Sequence, residues 1–454
     1  MHMRKPNILT NDRGQILVIF ALSISMLLLF TGLAIDTGLL YVTKSKLSAA
    51  VDGACLAGMK SLAQGQTTAT SVATHIFNAN YGSNPPVPGV TFPTDASGNQ
   101  QVKVTATVNV HTLFMQLLTP FTTVPVSDTA VATRGKLIMT IVLDRSGSMG
   151  NDGGMAGLQA AVPSFVNDFD QTPNTGDEVG MVSFSSNSTI DYAINYSFKT
   201  PINNDISSMT PNGGTFGTGA GTGTLLSNTI GPPLSLAGLM NDGVTIPVGQ
   251  NVVKVVVYFT DGLMNTIQDN FHCGGVGNAT LTLLNYGGHD ASQGTNNVAI
   301  QDPTAPNTTF YDYAPGGTYF EYNSASAKCK DSTGAYVTTF PSQQTGLQTA
   351  LSRTNVTAEA KYRANKTATA LRSEASHPNY IYTIGLGSGV DSPTQMLLKE
   401  IANDPTADTY DNTQTTGEFF LIADCPSTPS STCTNHVLQV FQTIAAKVLL
   451  RLTQ

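Results

Sequence analysis

"KLIMTIVLDRSGSMG", Lys136 to Gly150, is the stretch on which the fold turns. From Leu137 to Leu143 it is apolar apart from Thr140, the length and composition of a strand covered on both faces. The run ends at Asp144, and a hydroxyl-rich turn follows in which Asp144, Ser146 and Ser148 alternate. Three readings are open to such a triplet: a helix-capping turn, a nucleophilic serine, or part of a metal site.

Three more apolar runs follow: "DEVGMVSFSS", "NVVKVVVYFTDG" and "NYIYTIGLGSG". Helical patterns fill the intervals, in "GMAGLQAAVPSFVNDFD" despite Pro163, in "TGLQTALSRTNVTAEAKYRANKTATALRSEA" and in "NHVLQVFQTIAAKVLLRL". Apolar strands interleaved with helices predict an α/β domain with a mostly parallel central sheet covered by helices. In such sheets ligands bind beyond the carboxyl ends of the strands. Asp144 ends one strand, and "VVVYFTDG" brings Asp261 to the same edge. Between them lies "PNGGTFGTGAGTGT", a Gly-rich loop that carries Thr215, Thr218, Thr222 and Thr224. Two carboxylates and several hydroxyls are hard oxygen ligands, suited to Mg²⁺, Mn²⁺ or Ca²⁺ rather than zinc. Between Leu263 and Phe340 the pattern lapses into Gly, Asn, Thr and Tyr, which predicts a long surface insertion at about 263–340.

The other chemistries find little support. No G-x-S-x-G elbow surrounds Ser146 or Ser148, and none of the seven histidines has a context that marks it as their base, so no catalytic residue is expected. The Gly-rich loop matches neither G-x-G-x-x-G nor a Walker A sequence. His272 with Cys273, and His289 with Asp290, fit no zinc spacing. Charged residues are 11% of the chain, against about 25% in an ordinary soluble domain, and the net charge is −8. With no basic run to meet phosphates, a nucleic-acid partner is not expected.

The N-terminal third reads differently. Gln15 to Ile35, "QILVIFALSISMLLLFTGLAI", holds 21 residues without a charge. At about 1.5 Å per residue this crosses a hydrocarbon core of about 30 Å, and it exceeds a signal-peptide core. A retained membrane anchor is expected. Arg4, Lys5 and Arg13 precede the span and Lys44 and Lys46 follow it, a small bias toward an inside N-terminus. Beyond it, Leu47, Val51, Ala54 and Gly58 form one narrow face of a continuing helix. "QVKVTATVNV" and "VPVSDTAVATR" then alternate as half-buried strands, making a small α+β stalk. Four cysteines, Cys273, Cys329, Cys425 and Cys433, fall in the C-terminal half. They are candidate disulfides with three possible pairings, and paired cysteines place that half outside the cytoplasm.

"DRSGS" with "GGT" and "FTDG" resembles the metal-ion-dependent adhesion site of von Willebrand factor type A domains. The resemblance implies a Rossmann-like fold and a metal set of Asp144, Ser146, Ser148, Thr215 and Asp261. In that set the three hydroxyls bind directly and the carboxylates act mostly through water. It implies a divalent cation, Mg²⁺ foremost with Mn²⁺ or Ca²⁺ as alternatives, that takes an Asp or Glu carboxylate from a protein partner. "RGQILVIFALSISMLLLFTGLAIDTGLLYVTKSKLSAAVDGACLAG" is similar to the start of TadE/TadG-like proteins of tight-adherence (Flp) pilus assembly. Ile19 stands where processed pilin-like members carry Glu, so peptidase cleavage is not expected. Together the two resemblances imply a single-pass protein of the bacterial inner membrane with a periplasmic or extracellular C-terminal domain. Its partners would be pilus-assembly or surface components. The expected layout is a cytoplasmic stretch 1–14, a membrane helix 15–42, a stalk 43–135 and the type A domain 136–454. A scaffold with a purely stabilising metal and a metal-assisted hydrolase remain the rival readings.

Overall fold

The computed structural model describes residues 12–117, 122–151, 153–173, 176–185, 188–211, 224–225, 233–262, 264–273, 277–284, 298–301, 310–313, 321–322, 339–350, 352–423, 425 and 431–452. The chain divides into two compact units, Met1–Thr94 with Gln100–Thr133, and Asp95–Asn99 with Arg134–Gln454.

The first unit begins with α1, a single 49-residue helix over Asp12–Lys60. Among the described residues it is the one helix long and apolar enough to cross a membrane. From Ile16 to Leu29 its side chains are exposed, whereas Leu47, Val51 and Ala54 further along are fully buried. That buried face meets α2 (Gln66–Tyr81), a helix the sequence reading does not anticipate. Strands β1 (Gly89–Thr91), β2 (Gln100–His111) and β3 (Thr123–Arg134) form an antiparallel sheet. β2 alternates strictly over Val102, Val104 and Ala106, which pack on α1 and α2.

The second unit is built on β4 (Lys136–Asp144), buried along its whole length. Ser148–Asn151 and Gly154–Asn167 follow as α3 and α4. Then come β5 (Glu178–Phe184), β6 (Ser188–Asn195), α5 (Lys199–Ser208), the two-residue β7 (Thr224–Leu225), α6 (Pro233–Asp242) and β8 (Val252–Thr260). After the insertion, α7 (Arg353–Arg372), β16 (Asn379–Leu386), α8 (Ser392–Ala402), β17 (Glu418–Ile422) and α9 (Ser431–Arg451) complete it. The six-stranded sheet has the order β17-β16-β8-β4-β5-β6, parallel throughout except for the antiparallel edge strand β6.

Both faces of this sheet are covered, as its unbroken apolar strands require. Leu137, Met139, Ile141 and Leu143 of β4 face α4, α5 and α9. Val142 faces the opposite layer, with Leu234 of α6, Ala364 of α7 and Leu398 of α8. Thr140, also on that side, is buried and donates to Asn241 of α6 at 2.8 Å.

Two sequence expectations change in detail. The helix anticipated from Thr345 starts instead at Arg353. Gln348–Ala350 pairs with Thr339–Pro341 as a small hairpin (β15 and β14), and Ser352 then caps α7 by accepting from Asn355 N. The insertion also contains regular structure. Met264–Cys273, Gly277–Leu284, Val298–Gln301, Phe310–Tyr313 and Glu321–Tyr322, β9 to β13, join β7 in a second six-stranded sheet.

Candidate metal centre

β4 and β8 run parallel in a register that sets Leu143 beside Phe259, so Asp144 and Thr260 emerge together at the carboxyl edge. The "DRSGS" turn then folds back on its own aspartate. Ser146 N donates to Asp144 Oδ1 at 2.7 Å, and Thr260 Oγ1 donates to Asp144 Oδ2 at 2.7 Å. Both oxygens of Asp144 are thus engaged by the protein itself. Its role is to hold the turn and the β8 end in place.

The serine hydroxyls point the other way, toward Asp261. Ser148 Oγ donates to Asp261 Oδ1 at 2.9 Å, Ser146 Oγ lies 3.5 Å from the same oxygen, and the two hydroxyls are 3.0 Å apart. Asp144, Ser146 and Asp261 are buried. Burial pushes the Asp144 carboxyl up from its ordinary value, against hydrogen bonds from Ser146 and Thr260 that pull it down. Beneath lies Tyr258, stacked on Phe184 at 5.4 Å, its phenol raised well above the ordinary value by burial and by the Asp144 charge.

This donor set fits a hard divalent cation. Neighbouring ligands of an octahedral Mg²⁺ at about 2.0–2.1 Å stand about 2.9 Å apart, and the two serine hydroxyls are 3.0 Å apart. Two acidic groups close together in a dry site also carry a charge cost that a cation offsets. Among the described residues no three His, Cys, Asp or Glu side chains gather as a metal group; here serine hydroxyls supply part of the set.

Of the residues singled out from sequence, the structure brings together Asp144, Ser146, Ser148 and Asp261. Thr215 lies outside the described residues, as do Thr218, Thr222, Cys329, His289, Asp290 and the side chains of His272 and Cys273. Cys425 and Cys433 form a disulfide that ties the segment after β17 to the start of α9. Two contributors escape the sequence reading. Thr260 bonds Asp144, yet a threonine in a Val-rich strand looks like an ordinary strand former. Gly389, after β16, approaches the Asp261 carbonyl so closely that a Cβ there would stand 2.4 Å from it.

The hydroxyl and carboxylate cluster stands beyond the carboxyl ends of the parallel strands, the place where open α/β sheets bind their ligands. Residues 139–312 match the von Willebrand factor type A domain family, and residues 14–64 match the Flp pilus-assembly TadE/G-like family. The chain therefore carries, in that order, a TadE/G-like segment and a von Willebrand factor type A domain. No curated protein matches it. Among solved structures it is similar to the vWF domain of the type V pili tip protein Mfa5 from Porphyromonas gingivalis, with 16% identity, 71% of this chain and 98% of that chain covered, and a TM-score of 0.35. It is similar to the PilB minor pilin from Streptococcus sanguinis, with 13% identity, 81% and 79% covered, and a TM-score of 0.36. It is also similar to proximal thread matrix protein 1 of the mussel byssus, described with a zinc-occupied MIDAS motif, with 15% identity and a TM-score of 0.33. That match takes in 70% of this chain and 46% of the byssal protein, less than half its length.

Proposed function

We propose that this protein is a membrane-anchored, extracytoplasmic binding module that captures a protein partner through a divalent cation, in Flp pilus assembly or surface attachment. The observation that carries the reading is the convergence of Ser146, Ser148 and Asp261 oxygens at the sheet edge, braced by Asp144 and Thr260. Ser146 and Ser148 would hold the cation with Thr215 of the Gly-rich loop, and Asp144 and Asp261 would support them. Mg²⁺ is the cation best suited to this oxygen set. When bound, it supplies an electropositive position that accepts an Asp or Glu carboxylate from the partner.

The protein's own residues do the rest. Asp144 fixes the turn so that both serine hydroxyls face Asp261, and Gly389 lets the loop after β16 close over the Asp261 backbone. The arrangement binds without turning anything over. The TadE/G-like segment and the apolar part of α1 support a single-pass anchor in the bacterial inner membrane, and the Cys425–Cys433 disulfide supports a periplasmic or extracellular C-terminal unit.

Calorimetric titration of chelator-stripped full chain with MgCl₂ tests the site. One binding event per chain is expected, weakened about 10–100-fold or more by Asp144→Ala. Absence of binding to Mg²⁺, Mn²⁺ and Ca²⁺ alike would contradict the reading.

A further inference from the structure

The β2–β3 connection carries "TLFMQLLTPF" from Thr112 to Phe121, without a single charge. Its first part docks on α1 at the C-terminal end of that helix's apolar stretch. Asp36 accepts backbone hydrogen bonds from Leu113, Phe114 and Met115 at 2.8, 2.9 and 2.7 Å, and is almost wholly buried by them. One turn earlier, Gly32 faces the Phe114 ring so closely that a Cβ would stand 2.5 Å from it. Further along the helix, Lys44 pairs with Asp128 of β3 at 2.8 Å and donates to Ser127 O. The two attachment points show that the hairpin lies along α1 with its tip toward the apolar end.

The depth of that tip follows from the helix rise. From Asp36 to Lys44 is eight residues, about 12 Å, while the polar zone on each side of a bilayer is about 5–8 Å deep. From Ile16 to Asp36 is 20 residues, about 30 Å, the thickness of the hydrocarbon core. Asp36 therefore stands at the hydrocarbon boundary, where an unsatisfied carboxylate is costly. Three amides of the tip satisfy it, so the tip must share its depth. At that level Leu113 is 56% exposed and Phe114 39% exposed, and Leu33 and Ile35, which precede Asp36 on α1, are exposed as well.

We infer that the β2–β3 tip at Leu113–Met115 is a second membrane contact, seated against the acyl chains of the outer leaflet that α1 crosses. The inference rests on the reading of α1 as a membrane anchor. Its effect would be to limit the tilt of the stalk on the bilayer, since a second apolar contact beside the helix must stay at its own depth.

The chain contains no Trp, so an introduced one reports alone. Full-length Leu113→Trp, Leu22→Trp and Val87→Trp proteins, with Leu22 on the apolar part of α1 and Val87 91% exposed, would be reconstituted in phosphatidylcholine–phosphatidylglycerol vesicles. The vesicles would be made with and without lipid brominated at mid-chain. The inference predicts that Leu113→Trp and Leu22→Trp lose most of their emission to the brominated lipid and are blue-shifted, while Val87→Trp is unaffected. Quenching of Leu22→Trp with Leu113→Trp no more quenched than Val87→Trp overturns the inference and leaves the anchor standing. No quenching of Leu22→Trp overturns the anchor reading, and the inference with it.

Discussion

Asp144 and Asp177 are both buried carboxylates, yet the protein uses them in opposite ways. Asp177 forms a bidentate pair with Arg134, at 2.9 and 2.6 Å, and also accepts from Leu137 N and Asp170 N. Its partners are complete, and its function is to lock the start of β4. Removing half of such a pair leaves a buried unpaired charge, so Asp177→Ala should lower unfolding free energy by about 3–5 kcal/mol. The Arg134→Met/Asp177→Leu double variant should lose less than that single change. Denaturant melts of the three proteins check both statements; equal losses would mean the pair is not the cause. Asp144 instead faces neutral donors, and its environment favours a nearby positive charge. Its place at the end of an apolar run made it legible in the sequence, together with Ser146, Ser148 and Asp261. Thr260 and Gly389 were not legible, because their roles arise only when β4, β8 and β16 lie side by side.

At the scale of elements, the buried strands and the edges differ in how they announce themselves. β4, β5, β8 and β16 are continuous apolar runs and read directly as a covered sheet. The edge strands β6 and β17 are half-exposed, their sequences mixed, and nothing in "STIDYAIN" or "EFFLI" demands a strand until the neighbour is present. The insertion strands are obscured likewise by their Asn, Thr and Tyr content. Local chemistry at element ends carries measurable stability. Asp391 caps α8, accepting from Thr394 N at 3.0 Å and from Thr394 Oγ1, and these bonds hold its carboxyl below the ordinary range. A lowered carboxylate stabilises the fold above its unfolded value, and the contribution disappears as pH falls through the folded value. Asp391→Ala should therefore cost about 1 kcal/mol at neutral pH, with the difference closing below about pH 4. Melting both proteins across pH 2.5–7 (an approximate window set by the carboxylate range) checks the sign; a gap that widens in acid contradicts it. The Cys425–Cys433 bridge constrains the unfolded chain over a short loop, so Cys425→Ser should cost about 2–3 kcal/mol. Equal melts of the oxidised wild type and this variant would show that the bridge adds nothing.

The chain joins an apolar helix and a small α+β unit to an α/β unit whose sheet edge is proposed to bind a cation. A ligand that binds only the folded site stabilises it in proportion to its saturation, by about 2.7 kcal/mol at a hundredfold excess over Kd. Chelation should then lower the melting temperature of wild type and leave Asp144→Ala unmoved, which scanning calorimetry reads directly. Stabilisation alone would also be produced by a scaffold whose metal never meets a partner. Binding separates the two. The most direct test is capture of membrane-extract proteins on the immobilised full chain, with Mg²⁺ or with chelator, comparing wild type with Asp144→Ala. A defined partner should be retained by wild type in Mg²⁺ and lost both on chelation and in Asp144→Ala. The same partner retained under all four conditions would contradict it.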